Sequence, residues 1–157
     1  MKNADRLDIR LVVAPGLRVE SEPMRLRIIF GNMISNAIKY QNVYADSSFL
    51  EIKVSALNES HFEISFLDNG IGISEEAIGK IFSMFYRGTE LSDGSGLGLY
   101  IVRQVVQQLQ GEVRLKSQPG QGAKFTFVFP FFTAHPFEAE APQNGAISPP
   151  KTYISQG

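Results

Sequence analysis

The spacing of apolar residues along the chain predicts strands that are interrupted by helices. Strand segments are rich in β-branched and aromatic residues and are bounded by turn-forming residues. Phe62, Ile64 and Phe66 alternate with polar residues, which predicts a strand with one packed face. The segments that share this character are residues 8–13, 17–20, 49–57, 62–67, 112–116 and 123–129.

Three segments have the spacing and the boundary residues of helices. The first begins at Ser21, Glu22 and Pro23, where a capping residue, an acid and a first-turn proline follow one another, and it is predicted to run to about Tyr40. A short helix is predicted to begin at Ser74. Residues 97–110 form the third, with Leu99, Val102, Val106 and Leu109 facing inward, and Gly111 is predicted to end it.

These elements predict an α/β (α+β) two-layer sandwich. We expect a mixed, largely antiparallel sheet of about five strands with about three helices on one face. The length of 157 residues fits one domain. Beyond Pro130 the composition shifts toward Ala, Pro, Gly, Ser and Gln, so we expect the domain to span residues 1–132 and a flexible tail to span residues 133–157.

Composition and charge exclude several classes of function. The formal net charge of −1 indicates no bulk attraction to nucleic acid or to a membrane surface. The chain has no cysteine, which excludes disulfides and thiolate metal sites. No apolar run approaches the roughly 20 residues that span a bilayer. We expect a cytoplasmic protein, either by itself or as the cytoplasmic part of a membrane-anchored one.

A polar stripe lies along the first predicted helix. Asn32, Asn36, Lys39 and Tyr40 are spaced so that they share one side of a helix. An amide oxygen can ligate Mg²⁺, lysine can balance phosphate charge, and tyrosine can pack against a planar base. A solvated helix face explains this motif alone equally well.

A second motif, Asp68-Asn-Gly70-Ile-Gly72-Ile73, follows a predicted strand. A carboxylate at a strand end can accept a hydrogen bond from an exocyclic amine. Glycines lack side chains and therefore let a flat ring approach the backbone. Asp-Asn-Gly is also a common turn sequence.

A third motif places Gly94, Gly96 and Gly98 immediately before a helix. Backbone N–H groups at a helix N-terminus favour phosphate oxygens, although a lone glycine run is more often a flexible linker. The spacing is neither that of a dinucleotide-binding fingerprint nor that of a Walker loop.

The three motifs, in this order, resemble the ATP-binding catalytic domain of bacterial sensor histidine kinases, which has the Bergerat fold of the gyrase, Hsp-chaperone, histidine-kinase and MutL group. The resemblance covers roughly residues 7–130. It implies that Asn36 ligates Mg²⁺, that Asn32 and Lys39 lie at the phosphates, that Tyr40 flanks the base and that Asp68 recognises the adenine amino group.

The same resemblance assigns the lid over the nucleotide to residues 86–93, anchored by Phe82 and Phe85. Arg87 is then the candidate lid cation, with a surface pair to Glu90 as the alternative. Asn32, Lys39 and Arg87 are the expected catalytic residues. The expected nucleotide-binding residues are Asn32, Asn36, Lys39, Tyr40, Asp68, Gly70, Gly72, Ile73, Phe85, Gly94, Ser95, Gly96, Leu97, Gly98 and Leu99.

The function implied is transfer of the γ-phosphate of Mg-ATP to a histidine on a separate dimerisation domain, in two-component signal transduction. A response regulator is the implied downstream partner. Neither His61 nor His135 has the helical, acid-flanked setting of such an acceptor. We therefore expect an isolated catalytic domain, monomeric and without a nucleic-acid partner. The alternatives are a nucleotide-binding regulatory or docking module, and an ATPase or anti-sigma serine kinase of the same fold. Related ATPases carry a water-activating glutamate where Asn32 stands, which favours transfer to protein.

Overall fold

A computed structural model describes residues 7–87, 95–131 and 152–154. In chain order, the elements are β1 (Leu7–Val13), α1 (Pro23–Lys39), β2 (Ser48–Ala56), β3 (His61–Asp68), α2 (Glu75–Ile78), α3 (Gly98–Gln108), β4 (Glu112–Ser117), β5 (Ala123–Pro130) and β6 (Thr152–Ile154). The strands form one sheet with the order β1-β2-β3-β5-β4-β6.

The sheet is mixed and largely antiparallel, as predicted. The β2–β3, β3–β5 and β4–β5 pairs are antiparallel, whereas β1 runs parallel to β2 and β6 parallel to β4. The central strands carry many buried residues on the face toward the helices, among them Ile52, Phe66 and Phe127. Their cluster includes Ile29 of α1 and Val102 of α3, so one core joins the sheet to the helices.

Two sequence predictions about strands are wrong. Residues 17–20 form no strand in the described part of the chain. The Leu17 N–H instead closes a turn by donating to the Ala14 carbonyl at 3.2 Å, and Val19 packs against the core without a strand partner. At the other end, Thr152–Ile154 lies in the predicted tail yet pairs with β4. The rest of that tail lies outside the described residues.

The helix ends also differ from prediction in detail. At the start of α1, Glu22 rather than Ser21 is the N-cap residue, and its side chain makes no capping hydrogen bond. At the end of α3, Gln110 takes the left-handed conformation at φ 55°, and the Gly111 N–H donates to the Val106 carbonyl at 2.9 Å. Gly111 is required for a different reason, because a Cβ there would lie 2.5 Å from the Phe129 ring.

No helix among the described residues is long and apolar enough to cross a membrane.

Candidate nucleotide site

The predicted polar stripe of α1 borders a cavity. Apolar residues of the same helix, Ile29 and Met33, are buried in the core, and the stripe lies beside them. Asn36 and Tyr40 line the cavity wall, while Lys39 in the last helical turn is exposed. The helical spacing therefore brings amide, ammonium and phenol groups to one side of α1, as the sequence predicts.

The end of α1 is tied to the loop after β3. The Ile71 N–H donates to the Tyr40 carbonyl at 2.9 Å. A Cβ on Gly70 would overlap that same carbonyl oxygen. Gly70 is therefore needed for contact between two chain segments, and the approach of a ligand ring stays a prediction.

Asp68 lies at the end of β3, inside the cavity wall. Its Oδ1 accepts hydrogen bonds from the Gly70 N–H at 2.8 Å and from the Ala123 N–H at 3.3 Å. Burial raises the pKa of the Asp68 carboxyl above its ordinary value, and these two backbone hydrogen bonds lower it by less. Oδ2 accepts no hydrogen bond from the described residues, so one carboxylate oxygen remains available to a ligand amine.

The turn between β4 and β5 supports the loop after Asp68 from behind. Gly72 has φ +71°, and a Cβ there would overlap the Gln118 carbonyl oxygen. The Gly120 N–H donates to the Ile71 carbonyl at 2.7 Å. A Cβ on Gly122 would overlap the Asp68 carbonyl oxygen, so the turn packs directly on the Asp68–Ile73 loop.

The inner cavity, of about 160 Å³, is mostly apolar. Asp68 lies in its wall together with Gly72 and Ile73. Such a space, with the Asp68 carboxylate on a mostly apolar wall, suits a flat heteroaromatic ring that carries an amine. Its other lining residues are Met33, Asn36, Tyr40, Leu50, Phe66, Ile71, Ser74, Ala77, Ile81, Tyr86, Leu99, Ala123 and Phe125.

A second cavity, of about 180 Å³, adjoins the first and is more polar. It brings Asn32, Lys39 and Arg87 together with the start of α3. Amide and cationic groups around a helix N-terminus suit an anion. Its other lining residues are Ser35, Asn36, Tyr40, Ile81, Tyr86, Ser95, Gly96, Gly98 and Leu99.

The start of α3 packs closely on α1. A Cβ on Gly98 would lie 2.6 Å from Asn32 Oδ1, and Asn32 Nδ2 donates to the Ile28 carbonyl at 2.8 Å. The Asn32 amide is therefore held between the two helices. It has no group that is basic at neutral pH, so it cannot activate water as a glutamate could.

The lid anchor is only partly as predicted. Phe82 is buried and packs edge-on against Phe125, with ring centroids 6.3 Å apart. Phe85 is 66% exposed, has φ +62° and lines neither cavity, and its predicted contact with the nucleotide stays a prediction. Its backbone instead packs on Gly96, where a Cβ would lie 2.7 Å from the Phe85 carbonyl carbon.

Several other predicted site residues stand apart from the cavities. Gly70 and Leu97 line neither one. Gly94, Glu90 and residues 88–93 of the predicted lid lie outside the described residues. Whether the remaining residues hold a nucleotide stays a prediction at this point.

The donor set around Asn36 fits a magnesium ion that arrives with a polyphosphate. Asn36 lines both cavities, and its side chain makes no hydrogen bond within the described part of the chain. No group of three or more His, Asp or Glu that could hold a metal occurs among the described residues. Mg²⁺ commonly combines one or two protein oxygens with substrate phosphates and water, and one amide oxygen satisfies that arrangement.

The sequence analysis missed the apolar cavity wall. Met33, Leu50 and Phe66 line the inner cavity, yet each fits the ordinary core pattern of its helix or strand. Periodicity shows which face is buried and does not distinguish a core position from a cavity wall. Ser117, whose hydroxyl contacts Ile73 and Gly122, was not predicted either.

Residues 21–133 match the family of histidine kinase-, DNA gyrase B- and HSP90-like ATPases. Because the match covers most of the chain, the chain belongs to this family. Sensor histidine kinase relatives and solved catalytic domains confirm the resemblance to the ATP-binding catalytic domain of sensor histidine kinases, and the solved domains confirm the predicted fold class.

Individual relatives agree with this assignment. Sensor histidine kinase AtsR of Burkholderia thailandensis is 33% identical over 139 residues, which are 86% of this chain and 23% of AtsR. The structure of the mycobacterial sensor histidine kinase MprB is 26% identical, with a TM-score of 0.70 over 82% of this chain and 86% of that one. Full-length ShkA, solved in complex with AMPPNP, is 30% identical, with a TM-score of 0.72 over 85% of this chain and 27% of ShkA. The chain thus spans about a quarter of AtsR.

Proposed function

We propose that this chain binds Mg-ATP with the adenine in the inner cavity and the phosphates in the outer one. The observation that carries the proposal is the junction of the two cavities. They share Asn36 and Tyr40, and only the inner one contains Asp68, whereas only the outer one contains Lys39 and Arg87. This division matches a ligand with an amine-bearing ring at one end and several negative charges at the other.

Asp68 gives the site its preference for adenine. Its open Oδ2 accepts a hydrogen bond from the exocyclic amine of adenine. Guanine carries a carbonyl at the equivalent edge, and two facing acceptors repel each other. The AMPPNP complex of the relative ShkA supports an adenine nucleotide as the ligand.

The outer cavity orients the triphosphate. Asn36 is the protein ligand of the magnesium ion, which neutralises phosphate charge when bound. Lys39 and Arg87 add positive charge at the phosphates, and the N–H groups at the start of α3 donate to phosphate oxygens. Positioning and charge neutralisation of this kind supply most of the catalysis in phosphoryl transfer.

The reaction we propose is transfer to a histidine on the dimerisation domain of the same kinase. The γ-phosphorus forms a bond to an imidazole nitrogen, the bond to the β–γ bridging oxygen breaks, and ADP leaves. A response regulator takes the phosphoryl group next. Asn32 supports this reaction over hydrolysis, because its amide cannot take a proton from water.

Calorimetric titration with a non-hydrolysable ATP analogue, with and without Mg²⁺, tests the proposal. We expect binding that strengthens with Mg²⁺, that weakens about tenfold or more in Asp68→Ala, and that loses its Mg²⁺ dependence in Asn36→Ala. Ser55→Ala on β2 is the matched control, because Ser55 lines neither cavity. Folded wild-type protein that binds no nucleotide would contradict the proposal and favour a docking module.

ATP labelled at the γ-phosphate distinguishes phosphoryl transfer to a protein from hydrolysis of ATP. The chain alone is expected to acquire no stable label, and to transfer label when a histidine-bearing dimerisation domain of a related kinase is added. Steady release of inorganic phosphate by the chain alone would instead support an ATPase of this fold.

A further inference from the structure

The hydroxyl of Ser117 connects the two segments that form the back of the inner cavity. Ser117 is the last residue of β4. Its Oγ accepts a hydrogen bond from the Ile73 N–H at 2.9 Å and donates to the Gly122 carbonyl at 2.6 Å. One side chain therefore joins the loop after Asp68 to the β4–β5 turn, although Ile73 lies 44 residues earlier in the chain.

The loop that Ser117 holds contributes Ile71, Gly72 and Ile73 to the inner cavity. The Gly120 N–H also donates to the Ile71 carbonyl at 2.7 Å. Residues 117–120 therefore hold this loop at two backbone groups, the Ile71 carbonyl and the Ile73 N–H. Ser117 itself lines neither cavity. Any effect of its hydroxyl on a ligand must therefore pass through the two residues that it holds, Ile73 and Gly122.

The same turn also holds Asp68. The Ala123 N–H, directly after the turn, donates to Asp68 Oδ1 at 3.3 Å, and Gly122 packs on the Asp68 backbone. The acceptor that recognises adenine and the wall beside it are therefore both fixed by residues 117–123.

We propose that Ser117 is a positioning residue for base recognition: its hydroxyl holds Ile73 at the distance from Asp68 that an adenine ring requires. This inference rests on the proposed function. It assigns Ser117 no contact with the nucleotide and no part in phosphoryl transfer. The hydroxyl acts on the base end of the site and leaves the phosphate end unchanged.

Ser117→Ala removes both hydrogen bonds with little change in volume. We expect its affinity for ADP to fall about tenfold, because the Ile73 N–H loses its partner and the loop loosens. Affinity for tripolyphosphate, which occupies only the outer cavity, should stay within about twofold. Ser117→Thr keeps the hydroxyl and is expected to recover most of the ADP affinity, and Ser55→Ala controls for loss of a serine on a strand.

Amide hydrogen exchange gives a second readout that needs no ligand. Ile73 N–H is expected to exchange at least tenfold faster in Ser117→Ala, whereas the Phe127 N–H in the sheet should change much less. A uniform rise at both positions would indicate general destabilisation and would overturn the positioning role.

The outcomes separate this inference from the function on which it rests. If wild-type protein binds ADP and Ser117→Ala binds it equally well, the inference falls and the proposed function stands. If Ser117→Ala loses ADP and tripolyphosphate to the same extent, the selective role is wrong. If wild-type protein binds no nucleotide, the proposed function falls and base positioning falls with it.

Discussion

The two halves of the candidate site are built in different ways. The inner half is formed by strand ends and a turn that are joined by backbone hydrogen bonds, with buried walls such as Phe66 and Phe125. The outer half depends on long, exposed side chains, Lys39 and Arg87, beside the start of α3. The inner half is thus preorganised for a rigid ring, while the outer half can adapt to a flexible polyphosphate.

The strongest test of this contrast compares alanine substitutions at two glycines in the β4–β5 turn. Gly120 and Gly122 both have positive φ, at +77° and +79°, but only Gly122 is packed against another segment. Gly120→Ala should cost about 1–2 kcal/mol, the ordinary penalty of the left-handed conformation. Gly122→Ala should cost about 3 kcal/mol or more, because the added methyl overlaps the Asp68 carbonyl.

Chemical denaturation of the two variants measures this difference. Both variants carry the penalty of the left-handed backbone conformation. The additional loss of stability in Gly122→Ala therefore measures the contact between the turn and Asp68. Equal losses of stability in the two variants would contradict the close packing of the inner half.

A change at Asp68 should separate binding from stability. Asp68→Asn keeps an oxygen for the Gly70 and Ala123 N–H groups, and presents an amide N–H₂ to the adenine amine. We expect ADP affinity to fall by about 10- to 100-fold. Stability at neutral pH should not fall, because the substitution removes a charge that burial disfavours.

The raised pKa of Asp68 also predicts a pH dependence. Because the folded-state pKa lies above the unfolded value, the folded protein binds the proton more tightly, so this group's contribution to stability declines as pH rises between the two values. Adenine binding has the opposite trend, because protonation removes an acceptor as pH falls. The difference in unfolding free energy between wild-type protein and Asp68→Asn, measured by urea denaturation over the acidic range, should therefore change with pH in the opposite sense to the difference in their ADP affinities.

The smallest effect on stability is expected in the outer half. Lys39→Ala should change the free energy of unfolding by no more than about 0.5 kcal/mol, since the side chain is exposed. It should weaken binding of an ATP analogue several-fold and leave adenosine binding unchanged. Thermal denaturation gives the change in stability, and calorimetry of the same sample gives the affinities. A loss of adenosine affinity in Lys39→Ala would contradict a site in which the two halves bind different parts of the ligand.

The outer half could be predicted from sequence better than the inner half. Asn32, Asn36 and Lys39 are placed by helical spacing alone, which does not depend on the rest of the fold. Asp68 was found because it ends a clearly alternating strand. The strands β1 to β5 were predicted for the same reason, with an error of at most one residue at each end, whereas the predicted strand at residues 17–20 is absent and β6 was not predicted.

The sequence could not supply the contacts that build the inner half. Gly70 and Gly72 also accommodate the backbone of Tyr40 and Gln118, and the sequence does not show these contacts because they join distant segments. Ser117 looks like any serine at a strand end, and its partner is distant in sequence. Phe85 fits an aromatic anchor by composition, but a positive φ that turns it to solvent is visible only in three dimensions.

The measurement that tests the two-part site most directly is NMR chemical-shift mapping with two fragments of the ligand. Adenosine is expected to shift the amides of residues 68–73 and 117–123, and tripolyphosphate those of residues 32–39 and 95–98. Shifts from both fragments at one common set of amides, or adenosine shifts confined to residues 32–39 and 95–98, would contradict the account.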